Sequence, residues 1–387
     1  MTSASPWLDP RTAYAHVPFC AHHCGYCDFA VTVGQDHTVE LYLDALELEL
    51  KRLGNPRPVE TIFLGGGTPT HLSEAQLDRL LTLLCHWFPW PRGNEASIES
   101  TPDSLTPGKC QLLAHHGITR ISLGVQSFDS QTLKSLDRAH KSDQIAEAVE
   151  AIRPHIPALS LDLMFAAPGT TLEAWLADVQ TALAWNPQHL STYGLTYEKG
   201  TPLWKARQRG ELNIVPEETE LAMYEATIDT LTAHGFEHYE VSNFARPGHR
   251  CRHNERYWAN HAYYGVGTGA ARYVDGSREL NVRNTTDYIR KLLAGDSPTY
   301  QMELLDPIER ASETAAVQLR RAQGIDFAGY AEQCGIGFDE LFQLGAEPLL
   351  VQGLLEQTAE SIRLTRRGFC VADGIVEHLL ARRTTPS

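Results

Sequence analysis

What this 387-residue chain lacks narrows its function before any motif is read. It has no basic surplus: 33 Lys and Arg stand against 48 Asp and Glu, a net charge of −15. Nothing is left over to neutralise phosphates, so no nucleic-acid partner is expected. No apolar run approaches the roughly 18–20 residues that span a bilayer. The opening Met1-Thr-Ser-Ala-Ser-Pro-Trp7 has neither a charged n-region nor an apolar stretch behind it. Export is therefore not expected, and a cytoplasmic location is the default. Cysteine is sparse, at eight residues, and five of them (Cys85, Cys110, Cys251, Cys334, Cys370) are scattered, which excludes a disulfide scaffold. There is no internal repeat and no low-complexity segment. The balance that remains, 42% hydrophobic and 21% charged, is that of a soluble globular protein with a large core and room for two domains.

The other three cysteines are crowded together. Cys20, Cys24 and Cys27 lie in His16-Val-Pro-Phe-Cys-Ala-His-His-Cys-Gly-Tyr-Cys27. Three thiolates this close can hold three corners of an iron–sulfur cube but cannot reach the fourth. An iron with no protein ligand is an open position where a small molecule can bind and receive an electron. Zinc is the alternative, with His22 or His23 as fourth ligand, although zinc ordinarily uses Cys-x2-Cys spacings. Thiolate ligation of an iron–sulfur cluster fits the spacing better.

The first half of the chain alternates short β-rich runs with amphipathic helical stretches. The runs are Thr12–Val17, Val59–Leu64, Ala96–Ser100, Arg120–Val125, Leu159–Phe165 and Leu190–Leu195. Helices are expected over about 38–54, 73–86, 107–116, 130–153 (with a break) and 171–184. Six β–α alternations imply parallel strands joined by crossover helices. The expected fold is α/β, a full or partial barrel with ligands at the carboxyl ends of its strands. The cysteine loop follows the first strand and so falls on that rim. After residue 200 the rhythm changes to a helix near 216–234, a strand Phe236–Val241 and a turn-rich aromatic segment to about 282. From about 300 the chain reads as mainly helical, with a short strand and turn that suggest a small winged-helix-like module. The expected division is a core barrel over 1–200, an extension over 201–299 and a helical C-terminal domain over 300–387.

Taken with Tyr14-x-His16-x-Pro18-Phe19 and Tyr26, the triad resembles the signature of the radical S-adenosylmethionine (SAM) superfamily. More narrowly, the chain resembles the oxygen-independent coproporphyrinogen III oxidase family and, within it, the heme-chaperone branch, from Tyr14 to the terminal helix. The resemblance implies a partial (β/α)6 TIM-type radical SAM barrel. It implies a 4Fe-4S cluster on Cys20, Cys24 and Cys27, with the amino and carboxylate groups of SAM on the fourth iron. The hard chemistry would belong to the cofactor, the protein supplying orientation and exclusion of water. An electron donor such as flavodoxin or ferredoxin is implied as a partner.

Further motifs fall at successive strand ends. Gly65-Gly66-Gly67-Thr68-Pro69-Thr70 lets backbone approach a ligand closely. Glu99 could bind a ribose hydroxyl or an ammonium, and Gln126, an amide inside an apolar run, has hydrogen bonds that a ligand could satisfy. Arg138 could meet a carboxylate or the adenosyl group. Asp162, on an otherwise apolar strand, needs a partner or a ligand. The resemblance implies SAM contacts for Tyr14, Tyr26, Gly66, Gly67, Thr68, Glu99, Gln126, Arg138 and Asp162. Two positions depart from the family pattern: Thr101 where many relatives have Asn, and Ala166 where Gly is usual.

Two departures separate the chain from the decarboxylating oxidases. Phe29 stands where those enzymes carry a fourth cysteine, and only about a dozen residues precede the first strand. Conversely, Cys251-Arg-His253-Asn254-Glu-Arg-Tyr257-Trp258 matches the His-Asn-x-x-Tyr-Trp motif of the heme-chaperone branch. The resemblance implies heme binding at His253, Asn254, Tyr257 and Trp258, with His253 as the iron ligand and Cys251 as a weaker second. Histidine is a common axial ligand, and flat aromatics wall a macrocycle. The glycine-rich Tyr264-Gly-Val-Gly267-Thr-Gly269 reads as a close-packed turn. The expected function is a heme chaperone passing heme to an acceptor apo-hemoprotein, one class of which is membrane-bound; the alternative is an enzyme that oxidatively decarboxylates coproporphyrinogen III to protoporphyrinogen IX.

Overall fold

The computed structural model of the protein describes residues 7–384. Six strands lie where the alternation places them: β1 (Thr12–Val17), β2 (Thr61–Gly66), β3 (Glu95–Ser100), β4 (Arg120–Gln126), β5 (Ala158–Phe165) and β6 (His189–Gly194). Each is parallel to the next. Crossover helices join them: α1 (Val39–Lys51), α2 (Glu74–Trp87), α3 (Pro107–His115), α4 (Ser130–Ser135), α5 (Ser142–Ile152) and α6 (Leu172–Ala184). Local chemistry sets their starts. Ser73 caps α2 in a reciprocal pair with Gln76, and Thr106 and Thr171 cap α3 and α6 through the Lys109 and Ala174 N–H groups.

Buried parallel strands usually read as unbroken apolar runs. These alternate instead. Ala13, Ala15, Ile62, Leu64, Ile98, Ile121, Leu123, Leu161, Leu163 and Leu190 join the hydrophobic core with the helices. Their neighbours Tyr14, Phe63, Glu99, Ser122, Ser160, Asp162, Ser191 and Tyr193 line cavities inside the curved sheet. The barrel's interior is therefore a chamber walled by polar and aromatic strand residues rather than a packed core.

The segment beyond residue 200 completes the same sheet. After α7 (Pro202–Gln208) and α8 (Glu217–Ala233), a hairpin of β7 (Glu237–His238) and β8 (Asn243–Ala245) adds antiparallel to β6. The strand expected over Phe236–Val241 is thus only two residues long, and the ladder resumes at Asn243. Then α9 (Arg252–Trp258) leads to β9 (Tyr264–Gly267), which pairs parallel with β1 on the opposite edge. The glycine-rich segment expected to be a turn is this seventh parallel strand. A Cβ at Gly267 (φ +99°) would lie 2.3 Å from the His16 carbonyl oxygen, so only glycine fits. The sheet order is β9-β1-β2-β3-β4-β5-β6-β8-β7, and its ends do not pair, so the barrel is open.

Next, β10 (Ala271–Val274) and β11 (Ser277–Asn281) form a small antiparallel sheet with β12 (Thr299–Leu304) across α10 (Thr285–Leu293). β12 lies in what reads as the start of a helical region. Buried Glu49 of α1 ties this part to the barrel by accepting from Gly267 N (2.8 Å) and Asn281 Nδ2 (2.7 Å). The rest is α11 (Pro307–Gln318), β13 (Ile325–Asp326), α12 (Phe327–Cys334), α13 (Phe338–Val351), β14 (Leu355–Gln357), β15 (Ser361–Leu364), α14 (Arg366–Phe369) and α15 (Ala372–Ala381). Helices around a three-stranded antiparallel sheet, in the order β13-β15-β14, give the winged-helix-like arrangement. The module also grips the end of α9: Gln318 Nε2 donates to Ala259 O (3.0 Å) and Gln333 Nε2 to Asn260 O (3.0 Å).

Candidate functional site

The loop after β1 brings Cys20, Cys24 and Cys27 to the carboxyl rim of the barrel, as half-buried free thiols around one cavity of about 490 Å³. Burial, together with the neighbouring thiols, pushes Cys20 and Cys27 up to about 11. A ligand metal must therefore displace their protons. Arg138 supplies positive charge: Nη1 lies 3.3 Å from Cys24 Sγ and 3.4 Å from the Tyr26 hydroxyl, while Nη2 donates to Gly124 O (2.6 Å). The break between α4 and α5 puts it there, the chain turning through Asp137 (φ +55°) just before it. His22 Nε2 is 3.0 Å from Asp137 O and His23 Nε2 is 3.0 Å from Cys27 O, so one ring ties the loop to the α4–α5 break and the other serves the loop's own backbone. Among the described residues, no three His, Cys, Asp or Glu side chains converge on the sphere of one ion.

The triple glycine supports this loop from below. A Cβ on Gly66 (φ +109°) would strike the His16 ring at 2.5 Å, and one on Gly67 would lie 2.7 Å from the backbone of Pro18 and Phe19. His16 in turn holds Ala30 O through Nε2 (2.9 Å) and meets the Tyr14 hydroxyl through Nδ1 (3.1 Å). Thr68 Oγ1 is 3.5 Å from Cys20 Sγ.

Eight of the nine residues expected to contact SAM line the cysteine cavity: Tyr26, Gly66, Gly67, Thr68, Glu99, Gln126, Arg138 and Asp162. Glu99 accepts from Gly66 N–H (2.8 Å), yet burial, added to by the nearby Asp162, pushes its carboxyl up to about 7. It can therefore hold or release a proton near neutral pH. Asp162 is raised by burial against hydrogen bonds from Ser191, Ser122 and Ser160, and both its oxygens lie 2.9 Å from Ser122 Oγ. The ninth residue, Tyr14, sits deeper, stacked on Phe63 in a second chamber of about 360 Å³. Glu99, Ser122, Asp162 and Tyr193 line both spaces, so the two are adjacent. Sequence reasoning missed Tyr193, at the end of β6, and His140, two residues past Arg138. His140 Nε2 is 3.1 Å from Val125 O, and burial lowers its ring to about 4.

The second motif lies at the opposite, amino end of the barrel. α9 closes the lower chamber, and Glu95, the first residue of β3, accepts from the N–H groups of Arg252 and His253 (2.9 Å each) and from Cys251 Sγ (3.4 Å). His253 Nδ1 is 3.1 Å from the Thr12 hydroxyl. Its Nε2 makes no hydrogen bond among the described residues, and burial lowers the ring to about 4, so the imidazole is neutral. Cys251, Asn254 and Tyr257 also line the chamber, whereas Trp258 lies outside its wall, under the Arg320 guanidinium at 5.7 Å. The two expected sites are thus separate, one at each end of the barrel, in adjacent chambers. Phe29, 63% exposed, stands at the upper mouth.

Comparison with known proteins agrees with this geometry. The radical SAM superfamily model matches residues 14–182, and the HemN C-terminal domain model matches residues 305–371. The former implies a 4Fe-4S cluster and SAM. The residues present fit both: three free thiols on one cavity, a cation beside them, and a lumen of polar strand residues behind. The heme chaperone HemW of Bacillus subtilis is 36% identical over 92% of this chain and 96% of its own. That of Escherichia coli is 30% identical over 97% and 99%. Among solved structures, the coproporphyrinogen III oxidase HemN of Escherichia coli superposes with a TM-score of 0.83 at 24% identity, covering 96% of this chain and 90% of that one. With relatives this similar end to end, the chain belongs to the radical SAM superfamily and, within it, to the family of the heme chaperone HemW.

Proposed function

We propose that the chain is a heme chaperone, which binds heme and passes it to an acceptor hemoprotein, and that a cluster and SAM at the opposite end of its barrel serve that transfer. The observation that carries this reading is identity of 30–36%, over more than nine-tenths of both chains, to proteins that bear that name. The geometry supports it. His253 is held through Nδ1 by Thr12, is neutral, and keeps Nε2 for a ligand in the lower chamber. These are the properties of an axial ligand to heme iron. Asn254 and Tyr257 border the same space, and Trp258 packs edge-on against Tyr257 at the end of α9.

At the upper end, Cys20, Cys24 and Cys27 would hold the cluster, whose chemistry is delivery of an electron to the SAM sulfonium. Glu99 and Asp162 would receive the ammonium and hydroxyl groups of SAM, Gln126 and Arg138 would orient it, and Gly66, Gly67 and Thr68 would keep the loop in place. An electron donor, such as a flavodoxin or ferredoxin, and an acceptor apoprotein complete the partners, with the barrel over 1–200, the extension over 201–299 and the C-terminal module over 300–387 as the working division.

The test pairs two assays on anaerobically reconstituted protein. Heme titration of wild type beside His253→Ala should show uptake that falls at least about tenfold with the ligand removed. Incubation with coproporphyrinogen III, SAM and a reductant should give negligible conversion. Rapid conversion with no heme uptake would overturn the proposal in favour of the decarboxylase.

A further inference from the structure

The lower chamber contains a guanidinium with two N–H donors that nothing so far has used. Arg120 opens β4 and is only 5% exposed, yet it lines the chamber. Its Nη2 donates to the carbonyls of His249 (2.8 Å) and Arg250 (3.2 Å), just before α9. Its Nε and Nη1 have no partner among the described residues. A buried guanidinium with two idle donors is costly unless an anion meets it. Glu95 pairs with the guanidinium's charge in a buried ion pair but does not reach these two donors. Its Oε2 stays 3.7 Å from Arg120 Nη2, and its oxygens are engaged by Cys251, Arg252 and His253. Arg120 is therefore one carboxylate away from the start of α9, which carries His253, and the walls of the chamber they share include Phe63, Tyr257 and Tyr263.

We propose that Arg120 anchors a propionate of heme in the lower chamber, beside the His253 that meets the iron. The inference rests on the heme-chaperone reading and deepens it, because it fixes which edge of the macrocycle enters. A chamber of about 360 Å³ takes the edge of a porphyrin rather than the whole, and Tyr257, 48% exposed at its border, is the surface against which the remainder lies. A guanidinium fork suits a carboxylate through paired N–H donors, which an ammonium cannot reproduce.

Esterified heme separates this role from a purely structural one. Full-length protein would be titrated with heme and with heme dimethyl ester, which keeps the iron and the ring but loses both charges. The proteins are wild type, Arg120→Met and Arg120→Lys, each checked for a cooperative unfolding transition. Wild type should prefer heme over the diester by about tenfold to a hundredfold, the effect expected of a charge-assisted hydrogen bond. Arg120→Met should lose that preference while keeping its affinity for the diester, and Arg120→Lys should recover only part of it. If Arg120→Met does not fold, wild type alone still decides, because equal affinity for heme and diester would overturn the anchor. Heme bound equally by all three proteins would overturn the anchor and leave the chaperone reading standing. No heme uptake by folded wild type would overturn both.

Discussion

Replacing Gly67 by alanine tests whether the triple glycine exists for the ligand or for the loop that carries the cysteines. The new Cβ would lie 2.7 Å from Phe19 O and from the carbonyl group of Pro18, whereas ordinary contact begins near 3.4 Å. Both neighbours are backbone, so the obstruction cannot be relieved by a side-chain rotation. Either the 66–68 turn or the base of the cysteine loop must move. Two hydrogen bonds join them, Gly67 N to Val17 O and Thr68 N to Phe19 O, both 2.8 Å. Overpacking costs about 1–3 kcal/mol and each hydrogen bond about 0.5–1.5 kcal/mol. With one bond lost, destabilisation of about 2–4 kcal/mol is expected. Because Cys20 follows Phe19 directly, the displacement reaches the first thiol. Denaturant unfolding measures the stability, and iron and sulfide content after anaerobic reconstitution without SAM measures the loop. Gly67→Ala should retain far less iron than wild type even though SAM is absent. Wild-type stability and full iron content, with only SAM binding weakened, would refute the argument and return the glycine to a role in ligand approach.

Other outcomes follow from single buried groups. Glu99→Gln should leave iron content unchanged, since an amide oxygen can still accept from Gly66 N–H, but should weaken SAM binding about tenfold, read from the perturbation of the cluster spectrum on titration. Glu240 is fully buried, its Oε1 has no partner among the described residues, and burial raises its carboxyl from 4.5 to about 7. A carboxyl raised on folding stabilises below its unfolded value and loses that contribution as pH climbs through the folded one. Glu240→Gln should therefore exceed wild type by about 1–3 kcal/mol at pH 8, with the gap closing near pH 5 in parallel denaturant titrations. An unchanged gap across that range would show that Glu240 is not the group responsible.

The strands and helices of the barrel were legible because their signals are local and repeated. Ser73 with Gln76, Thr106 and Thr171 mark helix starts, and the short β-rich runs between the helices match β1 to β6 within about two residues. A break somewhere in 130–153 was visible too; the structure puts it between Ser135 and Ser142 and gives it a purpose by turning the Arg138 side chain onto Cys24. What stayed hidden depends on distant partners. β9 is four residues, two of them glycine, and is a strand only because β1 lies beside it. Asp162 looks anomalous in an apolar run until the alternation toward a polar lumen is known. Depth was the main thing out of reach. Residue order put Tyr14 before the cysteines and His253 far after them, but only the register with Phe63 and the grip of Glu95 on α9 place both at the amino end of the barrel.

The most direct test of the whole account is transfer. Reconstituted protein, loaded with one heme and supplied with SAM, would be mixed with a heme-free acceptor protein, and the heme spectrum followed from donor to acceptor together with the acceptor's recovered activity. The account predicts that heme leaves this chain for the acceptor, and that His253→Ala, which cannot be loaded properly, delivers little. Heme that stays bound through a full excess of a competent acceptor, or a protein that takes up none while converting coproporphyrinogen III, would contradict it.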